Sequence, residues 1–249
     1  MKDSELLVKF LKLIPSGREV EKRVGYSSSK NNYNLLTPAE KYVMNIFNLY
    51  NRLTGLLADL DRVITFTKRY PASNYYEKNN IDKLDYLKYH TEVYLHKIHT
   101  IMEVKKLILD EVYELGIPEK DCSWTKIKRN QIVNQTRAFK LIELFYKSFD
   151  TVIEARHRNT HRALYESCLD LEVESTLEIY KLSEELDMEI DEDFYKYNPN
   201  FLLDYQLKLH RKERVTFMQN GKNVVHEYTD MFMNEILKVA IQKHSEKEK

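Results

Sequence analysis

The stretch 37–71, "TPAEKYVMNIFNLYNRLTGLLADLDRVITFTKRYP", decides how the rest of the chain is read. Its first four residues are a helix start. Thr37 can accept a hydrogen bond from the backbone three residues on, Pro38 has no N–H to leave unpaired, and Glu40 can reach back to the Thr37 N–H. Val43, Ile46, Phe47, Tyr50, Leu53, Leu57, Leu60 and Ile64 then follow at steps of three and four, with one step of one. That spacing winds one apolar stripe along a helix. It predicts a single helix to about Tyr70, stopped by Pro71.

The same pattern recurs in both directions. Leu6, Leu7, Phe10, Leu11 and Ile14 make a short amphipathic segment before Pro15, and residues 15–36, rich in Gly, Ser and Asn, read as a mobile connection. After the polar "PASNYYEKNN", a second helix starts near Ile81–Asp82. Its seam is Leu84, Leu87, Tyr94, Ile98, Ile101, Ile108 and Val112, interrupted by Thr91 and Lys105, and "ELGIP" with Gly116 and Pro118 ends it. A third helix from an N-cap at Ser123 carries Phe139, Ile142, Phe145, Phe149 and Ile153 and runs into Arg156. A fourth passes through Leu164, Cys168, Leu171, Leu177 and Tyr180 to about Leu186. The acidic "EELDMEIDED" reads as a loop. A last helix starts at Asn198–Pro199, with a break or bend expected at "NGKN", 220–223, and a frayed "KHSEKEK" tail. The expectation is an all-α chain, an up-and-down bundle of four to five long helices over 37–249, preceded by a short helix and connection over 1–36.

Composition excludes several classes. The 249 residues carry 39 basic and 39 acidic side chains, so no global field attracts nucleic acid and an anion needs a local patch. Two cysteines, Cys122 and Cys168, do not make a disulfide framework and fit a reducing compartment. No run approaches 18 uncharged apolar residues, and Asp3, Glu5, Lys9 and Lys12 interrupt any signal-peptide core. A cytoplasmic protein without membrane contact is expected. P-loop, Rossmann, esterase and C-x-x-C motifs are absent.

Chemistry gathers at 154–165, "EARHRNTHRALY". Three arginines, two histidines and an asparagine fall between Arg156 and Arg162. Arg156 continues the line 142, 145, 149, 153, so its guanidinium points inward and needs an anion or water. A structural role would pair it with Glu92, Asp59 or Glu103. His161, five residues on, lies about 140° around an unbroken helix from Arg156. The two converge where the helix ends or turns, or where two copies meet. His157 and His161 share a face at i and i+4, as do Arg158 and Arg162.

Arg156–His161, "RHRNTH", resembles the R-x4–6-H motif of the HEPN superfamily, named for higher eukaryotes and prokaryotes nucleotide-binding. A polar residue follows the arginine in that family, and here it is His157. The resemblance implies an all-α bundle with the motif at a helix end, a homodimer whose two motifs face one cleft, and a metal-independent endoribonuclease, often a toxin or defence effector silenced by an inhibitory partner. No cofactor is implied. The residues suit that chemistry. RNA brings its own 2′-hydroxyl nucleophile. A histidine with an ordinary pKa near 6.5 moves protons at cell pH, which suits His161, with His157 as second proton-transfer group or orienting residue. Arg156 can hold the phosphoryl oxygens bidentately. Arg158, Asn159 and Arg162 suit phosphate binding, and Glu92 and His96 would stand behind the arginine.

Two rivals accompany that reading. One is a non-catalytic helical protein that binds a nucleotide or a partner. The other is a metal protein built on Glu92, His96, His99 and Glu103, spaced along one helix face. Tyr75, Tyr76, Tyr86, Tyr89, Tyr94, Tyr195 and Tyr197 could stack on bases, but seam packing is the commoner use of tyrosines at helical spacing. Trp124 reads as a packing anchor. "TKIKRN" and Arg18, Lys22 and Arg23 are weak basic patches, and "HRKER" at 210–214 reads as a solvated face.

Overall fold

Side-chain caps set the starts of the first two long helices in the computed structural model, which describes residues 5–16, 20, 22, 32–71, 74–154 and 168–248. Helix α1 is Glu5–Leu11, and a 3-10 turn follows at Asn32–Leu35. Helix α2, Pro38–Thr67, opens on the expected reciprocal cap: the Glu40 N–H donates to the Thr37 hydroxyl oxygen at 3.2 Å, and the Thr37 N–H donates to the Glu40 carboxylate at 2.9 Å. A short helix, α3 (Asn74–Lys78), lies in the stretch read as loop. Helix α4, Lys83–Tyr113, is capped by Asp82, whose Oδ1 accepts from the N–H groups of Leu84 and Asp85 at 2.7 and 2.8 Å. Beyond its end, Glu114 (φ 55°) and Gly116 (φ 68°) take left-handed backbone, which costs glycine nothing.

The predicted third helix is divided. Helix α5 is Trp124–Arg129 and α6 is Arg137–Ser148, with a further helical turn at 150–154. Asn130 ends the first piece, its Oδ1 accepting from the Ile132 and Val133 N–H groups, and Thr136 caps the second by accepting from the Phe139 N–H. These short polar side chains offer the backbone a bonded alternative to continuous helix. Helix α7 is Cys168–Leu186, α8 is Glu192–Tyr197 within the predicted loop, and α9 is the 48-residue Asn200–Lys247. No break occurs at "NGKN". Met218 and Val225, on either side, are fully buried, and that burial exceeds the roughly 1 kcal/mol that a helical glycine costs. The tail is helical to Lys247, with His244 buried and Lys247 2.6 Å from Glu114.

Among the described residues there is no strand, and α2, α4, α7 and α9 are the long helices of an all-α chain. Two compact units form. The first comprises 1–58, 99–149 and 224–249, and the second 59–98 and 150–223. In the first, Ile46, Leu53, Ile101, Met102, Ile108, Phe145 and Ile236 are fully shielded, and Trp124 stacks on Phe139 and Tyr146 at 4.8 Å each. In the second, Leu60, Tyr94, Ile98 and Met218 are fully shielded, and Leu84, Val173, Leu203 and Leu207 form a smaller cluster. The Tyr94 hydroxyl donates to the Met218 carbonyl at 3.1 Å, the seam use expected for that residue.

Candidate functional site

Helix α6 leads toward the arginine–histidine segment and buries Phe139, Ile142 and Phe145 as the stripe requires. The helix then stops. The Phe149 N–H bonds to the carbonyls of both Phe145 and Tyr146, and Phe149 leaves helical geometry at φ −116°, ψ 19°. Past this point Val152 takes the buried position, while Ile153 is only half-buried. Val152 keeps the step of three from Phe149, so the buried line 142, 145, 149, 152 holds helical spacing as far as the described residues go. Arg156, His157, Arg158, Asn159, His161 and Arg162 themselves lie outside the described residues. Before them, Glu154 is exposed. After them, α7 anchors at Val173, which is 2% exposed.

The surroundings named from the sequence are visible. Glu92 is half-buried and His96 exposed, both on α4. Of the acids offered as structural partners for Arg156, Asp59 already bonds Lys97 and Arg62, and Glu103 bonds Lys106 at 2.6 Å. Among the described residues no three His, Cys, Asp or Glu side chains gather closely enough to hold a metal ion, so the Glu92–Glu103 spacing does not assemble a centre. Lys126 and Lys128 of "TKIKRN" sit 3.9 Å from Asp121 and Glu143. Lys22 is exposed, and Arg18 and Arg23 fall outside the described residues. "HRKER" is not a uniformly solvated face: His210 is buried, and the Arg211 guanidinium lies over the Tyr70 ring, 4.9 Å from its centroid.

A second concentration of polar chemistry was not foreseen. It surrounds a cavity of about 450 Å³ in the second unit. Tyr70, Tyr76 and Tyr86 line it and meet edge to face, Tyr86 lying 6.3 Å from Tyr70 and 5.8 Å from Tyr76 between ring centroids. Leu177, Leu203 and Leu207 supply apolar wall, and Asp82, Lys83, Asn200 and Asp204 add polar groups. Lys181 bonds Asp82 at 2.7 Å, and Lys83 bonds Asp204 at 2.8 Å. Burial pushes the Asp82 carboxyl up, but the Lys181 bond and the Asp85 and Leu84 N–H donors outweigh it and hold it below the ordinary value. The Lys83 bond lowers Asp204 despite some burial. Both acids are therefore ionised at neutral pH. Burial pushes the Tyr70 phenol up to about 12, so it stays neutral. The sequence signal was slight: a run of tyrosines around an aspartate cap.

The first unit holds one buried cation of another kind. Lys105, an apparent polar slip in the α4 seam, is 1% exposed. Its Nζ has no hydrogen-bond acceptor and lies 3.7 Å from the Phe145 ring centroid and 5.9 Å from that of Phe232. Burial drives its pKa well below the ordinary lysine value, against the pull of Asp230.

A family model described as Cthe2314-like HEPN matches residues 42–244. No curated protein and no solved structure matches the chain.

Proposed function

Because the chain belongs to the Cthe2314-like HEPN family, we propose that it is a metal-independent endoribonuclease acting through the segment Arg156–His161. The observation that carries the reading is the coincidence of this family with an R-x4-H spacing whose arginine is followed directly by a polar residue, His157, in a segment flanked by helix on both sides. In this reading His161 takes the 2′-hydroxyl proton or protonates the departing 5′-oxygen, and His157 serves the complementary transfer or orients it. Arg156 binds the phosphoryl oxygens and stabilises the charge that grows on them, with Arg158, Asn159 and Arg162 holding neighbouring phosphate. The products are a 2′,3′-cyclic phosphate and a 5′-hydroxyl. The site works in a cytoplasmic homodimer, in the manner of a toxin or defence effector held in check by a partner protein.

Exposed apolar side chains support the assembly part of the reading. Ile179, Leu182 and Leu186 recur at steps of three and four on α7, and Phe201, Tyr205 and Leu209 at steps of four on α9, all well exposed. Contiguous apolar surface of this kind marks interaction sites. No described helix is long and apolar enough to cross a membrane. The balanced charge, 39 basic against 39 acidic residues, favours the second reading, a non-catalytic protein that binds a nucleotide or a partner.

Cleavage of RNA in EDTA by the wild type and by Arg156→Ala and His161→Ala separates the two. The ribonuclease reading expects activity that survives EDTA and falls at least a hundredfold, roughly the worth of a general base or a phosphate clamp, in each variant.

A further inference from the structure

The cavity has the composition of a binding site. Its volume of about 450 Å³ lies in the range that encloses a small organic ligand. The nature of that ligand follows from its charges. Asp82 and Asp204 would welcome a cation, but Lys181 and Lys83 already neutralise them, and Arg211 already covers the Tyr70 ring. An anion would gain from Lys83 and lose equally to the carboxylate beside it. A net charge in either direction therefore gains little. What remains in the lining is three tyrosine rings, an apolar wall, and neutral hydrogen-bonding groups: the Asn200 amide, which donates and accepts, and the Tyr76 hydroxyl. A neutral, flat molecule with both donors and acceptors on its edge satisfies all three.

Resting on the RNA reading above for its choice among such molecules, we propose that this cavity holds one unpaired nucleobase. The Tyr76 and Tyr86 rings contact its face or edge, and Asn200 pairs with its hydrogen-bonding edge. Aromatic contact of this type is sequence-tolerant, because every base has a π-face, whereas an amide edge adds preference. The base comes either from a free nucleoside or from single-stranded RNA, and the two sources are distinguishable.

The test is calorimetric titration of the full chain with the four nucleosides, and separately with a 2′-O-methyl RNA hexamer, which has no free nucleophile and cannot be cut. Tyr76→Leu and Asn200→Ala remove contacts, Leu177→Trp fills the cavity, and Tyr89→Leu changes an exposed tyrosine that does not line it. Helix content by circular dichroism checks each fold. Saturable binding weakened at least tenfold by Tyr76→Leu, Asn200→Ala and Leu177→Trp, and unaltered by Tyr89→Leu, supports the pocket. Binding of the hexamer alone assigns the base to RNA, and binding of nucleosides as well assigns it to a free ligand. No saturable binding of either, or binding unaltered by the cavity variants, overturns it. RNA cleavage that persists with no such binding sinks the pocket alone, and base binding without cleavage sinks the ribonuclease reading alone.

Discussion

Lys105 in the first unit and Asp82 in the second are both charged groups withdrawn from water, and the chain treats them in opposite ways. Lys105 has aromatic rings for neighbours and no acceptor, and burial lowers its pKa. Asp82 has a lysine, two backbone N–H donors and a cavity beside it, and its carboxyl stays ionised. The difference extends to each unit. Most of the large exposed apolar side chains fall in the second unit, including Phe201, Tyr197, Tyr205 and Leu186. The first unit closes on its core and leaves several buried polar atoms, among them Lys105 Nζ, Asn134 Oδ1 and Thr229 Oγ1, without a hydrogen-bond partner. The second keeps its charges paired around open space and leaves apolar surface outside. Incomplete packing of the second kind is where binding sites and partner surfaces are found.

The contrast can be broken most severely at Phe145. Phe145→Ala removes a fully buried ring and leaves Lys105 without its nearest neighbour, and a loss of about 3–5 kcal/mol in urea unfolding is expected. Amide exchange should quicken first in α6 and the 99–113 part of α4. A variant as stable as the wild type would show that the first unit is less tightly closed than its burial implies.

Lys105→Met sharpens the same point with the opposite sign. Replacing a buried ionic group by an apolar one of similar length should stabilise the fold on the order of 1–4 kcal/mol at neutral pH. The native state holds Lys105 below the ordinary lysine value of 10.5, so it binds fewer protons than the unfolded chain at lower pH. Stability of the wild type therefore rises as pH climbs toward that value and falls as pH drops. The gain from Lys105→Met should shrink steadily toward pH 10, measured as the difference in unfolding midpoint. A gain independent of pH would mean that packing, not charge, is responsible.

Smaller effects test the second unit. Tyr94→Phe deletes one hydrogen bond to the Met218 carbonyl in a fully buried setting and should cost about 1 kcal/mol. His90 packs against Tyr86 and Phe66, and burial lowers its pKa. Its neutral form is favoured in the fold, so stability present above the ordinary value of 6.5 is lost as pH falls below it. His90→Phe should flatten that acid loss, and an unaltered acid limb would place the sensitivity elsewhere.

Much of the fold was legible because caps and stripes are local. Thr37, Pro38 and Glu40 announced α2, and Ser123 announced α5, through bonds spanning three residues. Breaks without glycine or proline were not legible. Nothing in "FYKSF" marks the stop at Phe149, and "NGKN" marked a stop that the burial of Met218 and Val225 overrides. His210 was misread because the charges around it dominate the local composition, while its burial depends on residues far along the chain. Lys105 showed as an interruption of the seam, but its ring neighbours come from α6 and α9. The arginine–histidine motif was readable as a pattern. The inward orientation expected of Arg156 lies outside the described residues.

RNA cleavage in EDTA, with Arg156→Ala and His161→Ala beside the wild type, tests the central claim most directly. The account predicts fragments ending in 2′,3′-cyclic phosphate from the wild type and at least a hundredfold less from either variant. Wild-type protein that cuts none of several RNAs, or variants that cut as well as it does, would contradict it.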